Sequence, residues 1–318
     1  MIRDLLVQTP ELVTWPCDEI NYIWRHGNRG FETDEFSRDM ATPKVKQFIN
    51  QSFRRLEKQH PGATVVEKTC ANSLRCGFVH EVFPKARFVH IIRDGRDVAA
   101  SAALRWNAEL DVGYIMKKAR FVPWSDLPYY ASKYFGARVY RLFAKQKRLS
   151  TWGPKFDGMQ TALRDNELPV ACAIQWKACV EASMSQLDGV ADDQVLNIRY
   201  ESFTNNPVEG LKNICQFLDT PYHEDSLAKI TEKVSTRSIG KWKTQLESSQ
   251  LDRIEHVAGD LLDRLGYRSQ NGLAPQDNDE VTTNFETCVR PDCCIHRTRV
   301  RFSVHFHRLD CSGVEHTS

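Results

Sequence analysis

The sequence has no run of about 18 apolar residues, the length that a helix needs to cross a membrane. We therefore expect no membrane span, and the apolar stretch within residues 1–10 is too short for a signal peptide. Net charge is also small, since 43 Lys and Arg residues against 41 Asp and Glu residues give +2. This balance argues against a histone-like or acidic-tail protein but leaves a local anion pocket open.

The spacing of cysteines and histidines does not match a structural zinc site. Six of the ten cysteines, from Cys17 to Cys215, are scattered through mostly apolar surroundings, which is typical of reduced core thiols. The other four lie between Cys288 and Cys311 beside three histidines, without two Cys-x2–4-Cys pairs. We therefore expect no metal, and an unpacked tail at this end of the chain.

Composition is that of an ordinary globular protein, with 41% hydrophobic and 26% charged residues among 318. These values exclude wholesale disorder and fibrous repeats, and the length permits one large domain or two modest ones. The sequence favours one domain over 1–270, followed by an irregular Cys- and His-rich tail over 271–318. Residues 110–168, which mix aromatic, proline and basic residues, are interpreted as an insertion between sheet elements.

Three short runs rich in β-branched or aromatic residues, at 63–66, 87–92 and 195–200, are each followed by a polar turn and a helical pattern. This alternation predicts an α/β fold in which a parallel β-sheet is flanked by helices. Asn206 and Pro207 suit the cap and first turn of a helix. The helical patterns cover 42–59, 98–109, 169–187, 206–218 and 251–265.

The sharpest local feature is Arg93-Asp-Gly-Arg96-Asp, which joins a buried strand to a helix that also contains Ser101. Ligands of open parallel sheets bind at the carboxyl ends of strands, and helix N-termini attract anions. Arg93 and Arg96 add planar donors that match phosphate, and Ser101 adds a hydroxyl. These residues predict an oxyanion site, and the alternative is a structural Arg–Asp network.

Three further blocks contain candidate functional residues. Glu67-Lys68-Thr69 follows a strand, where a carboxylate could take a proton from a nucleophile, although such a block is also typical of a solvated turn. Tyr200 ends a strand and could pack against a purine or belong to the core. The segment 235–242 carries Thr236, Arg237 and Ser238, which could wrap a phosphate or form an ordinary loop.

These four blocks, in this order and spacing, resemble the sulfotransferases that use 3′-phosphoadenosine-5′-phosphosulfate (PAPS), over roughly residues 10–268. The resemblance implies a fold like that of the P-loop NTPases. It also implies that Arg93 and Ser101 bind the 3′-phosphate of the donor and that Glu67 is the general base beside Lys68. In the branch that sulfates small molecules a His is the base, and here that position is Cys70. The remaining residues implied at the donor site are Arg96, Tyr200, Thr236, Arg237 and Ser238.

The resemblance implies transfer of a sulfuryl group from PAPS to a hydroxyl or amine, with no metal. The acceptor is open between a small molecule, a glycan and a protein, and no nucleic-acid motif is present. The compartment is also open, because an upstream signal anchor is compatible with the sequence. The Gly-x4-Gly-Lys-Ser/Thr loop of a small kinase is absent, which disfavours phosphoryl transfer.

One departure from the family pattern is large. The family opens with a strand and a Gly-rich loop that cradles the 5′-phosphosulfate, whereas residues 1–6 look like the helix after that loop. Without this strand, normally central, the backbone of both neighbouring strands would be unpaired. We expect an N-terminally incomplete sulfotransferase domain. The alternative is a short, non-catalytic paralogue or nucleotide-binding protein.

Overall fold

The computed structural model describes residues 1–106, 120–132 and 153–268, together with the backbone of 300–305. Its centre is a five-stranded sheet in which every strand pair is parallel, in the order β1-β2-β5-β3-β4. The parallel α/β fold predicted from the sequence is confirmed. The five strands are β1 Leu12–Val13, β2 Thr64–Glu67, β3 Arg87–Ile92, β4 Val195–Arg199 and β5 Val300–His305.

Helices connect the strands and cover the sheet. The predicted starts are accurate where a local signal exists: Thr42 caps the helix that begins at Pro43, and another begins at Pro207. Asn206, expected to cap the latter, makes no side-chain capping bond. The helices are α1 Ile2–Leu6, α2 Asn21–Trp24, α3 Pro43–Gln59, α4 Cys76–Val82, α5 Gly95–Trp106, α6 Met159–Asp165, α7 Leu168–Leu187, α8 Tyr200–Asn205, α9 Pro207–Phe217, α10 Glu224–Thr231, α11 Trp242–Gln245 and α12 Ser248–Arg264.

The core lies on both faces of the sheet because successive side chains of a strand point to opposite sides. Val65 and Phe88 pack with α3 and α4 on one face. Val66, Val89 and Ile91 pack with α1, α8, α9 and α10 on the other. Helices α5, α7 and α12 share a third apolar cluster. This packing fixes β2 and β3, whose carboxyl ends carry the two sharpest sequence blocks.

Strand β5 lies in the middle of the sheet, although the sequence analysis treats 271–318 as an irregular tail. It pairs with β2, placing Phe302 opposite Glu67, and with β3, placing His305 opposite Ile91. The backbone of β2 and β3 that the sequence analysis expects to be unpaired is therefore paired here. The alternation of apolar and polar residues from Val300 to Val304 is a strand signal that the sequence contains but that was not used in predicting the fold.

The six scattered cysteines are free thiols, and four of them are buried: Cys76, Cys172, Cys179 and Cys215. This agrees with the reduced core thiols predicted from the sequence. The Cys293-Cys294-x-His296 cluster lies outside the described residues. Among the residues that are described, no group of three or more potential ligands is placed to hold a metal ion. In the same part of the chain, no helix combines the length and apolar character that crossing a membrane requires.

Candidate active site

The carboxyl ends of all five strands meet at one edge of the sheet, because every pairing is parallel. Glu67 is the last residue of β2, and Arg93 directly follows β3. One strand, β5, lies between them. The register places Glu67 level with Phe88 across β5, and Arg93 lies further along the chain beyond Phe88, so the two backbone positions are roughly 19 Å apart at the usual strand rise and spacing. Both blocks therefore follow strands at the same edge of the sheet, with the Arg93 block further along the strand direction than the Glu67 block.

The Glu67 carboxylate is buried, with 2% of the residue exposed. The Thr69 hydroxyl donates to its Oε1 at 2.5 Å, and the Asn72 side-chain amide donates to its Oε2 at 2.9 Å. Burial raises the pKa of Glu67 to about 7, and the Thr69 hydrogen bond opposes that rise. The group is thus poised to exchange a proton near neutral pH, which suits a general base. Sequence reasoning did not identify either hydrogen-bond donor.

A second carboxylate that the sequence analysis did not single out lies beside this block. Glu19 Oε1 is 3.4 Å from Lys68 Nζ and accepts a hydrogen bond from the Cys70 backbone N–H at 3.3 Å. Burial disfavours the charged form of Lys68, but Cys70 and Glu19 outweigh that effect and raise its pKa. Lys68 is therefore a fixed positive charge near Glu67. An acidic pair soon after β1, Asp18-Glu19, is the signal that could have identified this residue.

Three of the predicted donor-site residues meet in a second cluster. Arg93 Nη2 donates to the Ser238 carbonyl at 2.5 Å, and the guanidinium carbon lies 4.6 Å from the centroid of the Tyr200 ring. The Tyr200 hydroxyl and the Ser238 hydroxyl are 2.9 Å apart. Arg93 Nε is buried and has no hydrogen-bond partner among the described residues. An unpaired guanidinium nitrogen beside the N-terminus of α5 is a candidate donor to an oxyanion there.

Asp97, in the first turn of α5, binds the backbone of the segment 235–242 beside this cluster. Its carboxylate accepts hydrogen bonds from the backbone N–H groups of Gly240, at 2.8 Å, and Trp242, at 3.0 Å. It also lies 3.6 Å from Arg93. Burial raises the pKa of Asp97, and the two backbone donors oppose the rise. The sequence did not predict this anchoring contact of Asp97.

The remaining predicted donor-site residues are less involved in the cluster. Arg96 is held by contacts within the protein. Its Nη2 donates to the Asp94 carboxylate at 2.8 Å and to the Tyr267 carbonyl at 2.7 Å. Its guanidinium carbon lies 4.2 Å from the centroid of the Trp242 ring. These contacts favour the structural Arg–Asp network that the sequence left open. Ser101 is half-buried on α5, whereas the other two, Thr236 and Arg237, are exposed on the loop.

A cavity of about 350 Å³ opens beside the Glu67 half of the site. Glu19 and Asn21 form its side nearest the Lys68 block, and Tyr22 and Tyr130 line it with their rings 4.7 Å apart at a steep angle. The volume is within the range of small-molecule sites, roughly 300–1,000 Å³. Tyr129 and Tyr130 belong to the 110–168 insertion, so the described part of that segment lines a pocket.

The chain was compared with known proteins. The family model described as "Sulfotransferase family" matches residues 18–150 and 137–224. Eleven solved chains are similar in structure. One is the sulfotransferase domain from the curacin biosynthetic pathway, with 12% identity and a TM-score of 0.48, covering 82% of this chain and 92% of that one. Another is the sulfotransferase STF9 from Mycobacterium avium, with 12% identity and a TM-score of 0.45. This match covers 83% of this chain and 73% of STF9. No curated protein matches the sequence.

Proposed function

The chain belongs to the sulfotransferase family, and on that premise we propose that it transfers a sulfuryl group from PAPS to a hydroxyl or amine of an acceptor. The observation that carries the proposal is the pairing of an oxyanion-type cluster around Arg93 with a carboxylate that titrates near neutral pH. The two lie at the same edge of the sheet. The reaction needs a site for an anionic donor and a proton acceptor for the acceptor molecule, and the two clusters supply these groups.

The donor half is proposed to bind the nucleotide through Arg93, Ser101 and Ser238. The buried, unpaired Arg93 Nε supports a phosphate at the start of α5, because a guanidinium donor left without a partner is costly. The Tyr200 ring is 1% exposed and lies in the apolar core against Arg93, so its proposed contribution is to hold Arg93 in place. Thr236 and Arg237 are exposed on the loop that Asp97 anchors, so they would have to reach the nucleotide from the solvent side.

The transfer step forms one bond and breaks one. The acceptor oxygen or nitrogen attacks the donor sulfur, and the bond between sulfur and the bridging phosphate oxygen breaks. The electron pair leaves with 3′,5′-adenosine bisphosphate, and the acceptor proton passes to the Glu67 carboxylate. The positive charge of Lys68 stabilises the developing negative charge on the donor oxygens.

The cavity lined by Tyr22 and Tyr130 is proposed to hold the acceptor. It borders Glu19, which is bonded to the Lys68-Cys70 segment that follows Glu67. Aromatic walls with carboxylate and guanidinium groups suit a small polar molecule, a sugar or an aromatic side chain. Because Glu19 faces the cavity and Glu67 is buried, Glu19 is the alternative for the base.

The experiment is a calorimetric titration of the full chain with 3′,5′-adenosine bisphosphate, with ATP as the control ligand. Selective binding of the bisphosphate is expected. Arg93→Ala should weaken that binding about 10- to 100-fold, because hydrogen bonds to charged groups contribute about 1.5–3 kcal/mol. Arg164→Ala is the matched control, since Arg164 is exposed and pairs only with Asp165 among the described residues. Unchanged affinity in Arg93→Ala would refute the donor-site assignment.

A non-catalytic nucleotide-binding protein is the second candidate, because the Arg93 cluster would bind an oxyanion whether or not a sulfuryl group is transferred. Selective binding of the bisphosphate without turnover of any acceptor class would favour it. Preference for ATP with magnesium would instead favour phosphoryl transfer.

A further inference from the structure

The Arg75 guanidinium is fully buried and has no place in the proposed chemistry. Its exposed fraction is 0%, and it lies directly after the turn Cys70–Leu74. Arg75 Nε donates to Asn72 Oδ1 at 2.9 Å, and Nη2 donates to Asn21 Oδ1 at 2.6 Å. Nη1 is 3.5 Å from Asp34 Oδ1. A buried cation is costly unless its contacts compensate, and these contacts all lead towards Glu67 or the cavity.

We propose that Arg75 and Asn72 are positioning residues, which fix the orientation of the Glu67 carboxylate, favour its ionised form and tie it to the cavity wall. The inference rests on the proposed function only in giving Glu67 the role of base. Neither residue contacts the donor or the acceptor in this proposal: Asn72 acts through its hydrogen bond to Glu67, and Arg75 acts through Asn72 and through its charge.

The side-chain amide of Asn72 links Arg75 to the Glu67 carboxylate and fixes the orientation of that carboxylate. It has an acceptor end, Oδ1, and a donor end, Nδ2. Arg75 Nε can only donate, so it selects Oδ1, and this leaves Nδ2 to donate to Glu67 Oε2 at 2.9 Å. In the flipped amide, two oxygens would face each other next to the carboxylate. Arg75 therefore holds Asn72 in the one orientation that binds an ionised Glu67.

The charge of Arg75 acts in the same direction. Burial raises the pKa of Glu67, the nearby Glu19 adds to the rise, and Arg75 opposes it. Burial lowers the pKa of Arg75 itself to about 10, which still leaves it charged near neutral pH. Among the described residues, the titratable, charged or hydrogen-bonding groups with an interaction at Glu67 include Arg3, Glu19, Trp24, Thr69, Asn72 and Arg75.

The same guanidinium reaches the wall of the cavity. Asn21 and Asp34 both line it, and Asp34 also pairs with Arg25, another lining residue, at 2.6 Å. An acceptor that shifts Asn21 or Arg25 therefore alters the surroundings of Arg75. Through Asn72, the change reaches Glu67. This continuity separates a positioning role from an isolated buried ion pair.

The test uses Arg75→Met in the full chain, because Met keeps an unbranched side chain and removes the charge and the donors. The readout is the Glu67 pKa, measured by carbon-13 NMR of glutamate carboxyls and assigned with Glu67→Gln. We expect the pKa to rise by about one pH unit or more, since an opposite charge nearby typically shifts a carboxyl by 1–3. The apparent pKa of the acid limb in the pH profile of kcat should rise by the same amount. Arg75→Lys, which restores the charge, should move both back towards the wild-type values.

Arg164→Met, which removes an exposed charge, is the control and should leave Glu67 unchanged. If Arg75→Met does not fold, Asn72→Ala replaces it, with a rise in the Glu67 pKa again expected. An unchanged pKa in either folded variant would overturn the inference. The titration needs no sulfuryl donor, so the two proposals fail separately. A shifted Glu67 pKa in a protein without turnover refutes only the proposed function, and turnover with an unshifted pKa refutes only the positioning role.

Discussion

At the scale of single residues, the assignment of the base depends on two carboxylates in different environments. Glu67 is buried with both oxygens accepting hydrogen bonds, and its pKa is about 7. Glu19 is partly exposed and borders the cavity. The raised pKa favours Glu67, because a base works best when its pKa is near the working pH. Accessibility favours Glu19. Kinetics of matched variants separate the two.

Glu67→Gln should lower kcat about 100-fold or more while leaving 3′,5′-adenosine bisphosphate affinity unchanged, because the variant removes the proton acceptor and not the donor site. In the wild type, the base acts only when ionised, so kcat should fall as pH drops through about 7. Glu19→Gln should keep turnover and move that limb to lower pH, because the charge of Glu19 raises the Glu67 pKa. The opposite pattern of kcat losses would make Glu19 the base.

At the scale of elements, the junction between β3 and α5 depends on Gly95 in a way that the sequence did not reveal. A glycine between a strand and a helix predicts a tight turn at this position. In the structure, its backbone instead packs against the buried ring of Trp176 on α7, and an added Cβ would lie 2.5 Å from Trp176 Cε3. Gly95 is therefore needed for the close approach of α5 and α7, which sets the position of the N-terminus of α5 at the donor site.

Gly95→Ala should destabilise the protein by about 1–3 kcal/mol, because the added methyl must displace Trp176 in a packed core. Urea denaturation followed by tryptophan fluorescence measures the loss. Gly30→Ala is the matched control: a Cβ there meets nothing within 4 Å, so a change near zero is expected. Equal stabilities of the two variants would show that α5 and α7 can move apart at little cost.

At the scale of the whole molecule, the sheet depends on a strand from near the end of the sequence. Without β5, β1 pairs only with β2, and β3 only with β4, within the sheet described. The two proposed halves of the site would then lie on separate two-stranded ribbons. Since a two-stranded unit is only marginally stable, β5 is what makes one sheet and one site.

A chain that ends at residue 299 should therefore be less stable than one that ends at residue 305, which keeps β5. The expected difference is on the order of 5 kcal/mol, because several ladder hydrogen bonds are lost at about 1 kcal/mol each. Thermal unfolding of both chains, monitored by circular dichroism, measures it. Equal melting temperatures would contradict the structural role of β5. The chain that ends at residue 305 controls for the removal of residues 306–318.

Local sequence patterns alone determined the strands β2, β3 and β4, the helix starts at Pro43 and Pro207, and the Arg93 and Glu67 blocks at strand ends. These features depend on side-chain alternation, capping and backbone preference, all of which act between residues close in the chain. The sulfotransferase family could also be predicted, because its motifs are contiguous. The position of β5 in the middle of the sheet could not be predicted, because alternation in a short segment does not specify which strands it will pair with.

Only the tertiary structure decided which distant groups meet. It placed Ser238 on Arg93 and Tyr200, Glu19 beside Lys68, and Asn21 on the buried Arg75. It also decided that Arg96 is occupied by Asp94 and the Tyr267 carbonyl. The physical reason is that burial sets these interactions. Solvent exclusion selects partners for buried charges and shifts the pKa of Glu67, and burial depends on how the whole chain packs.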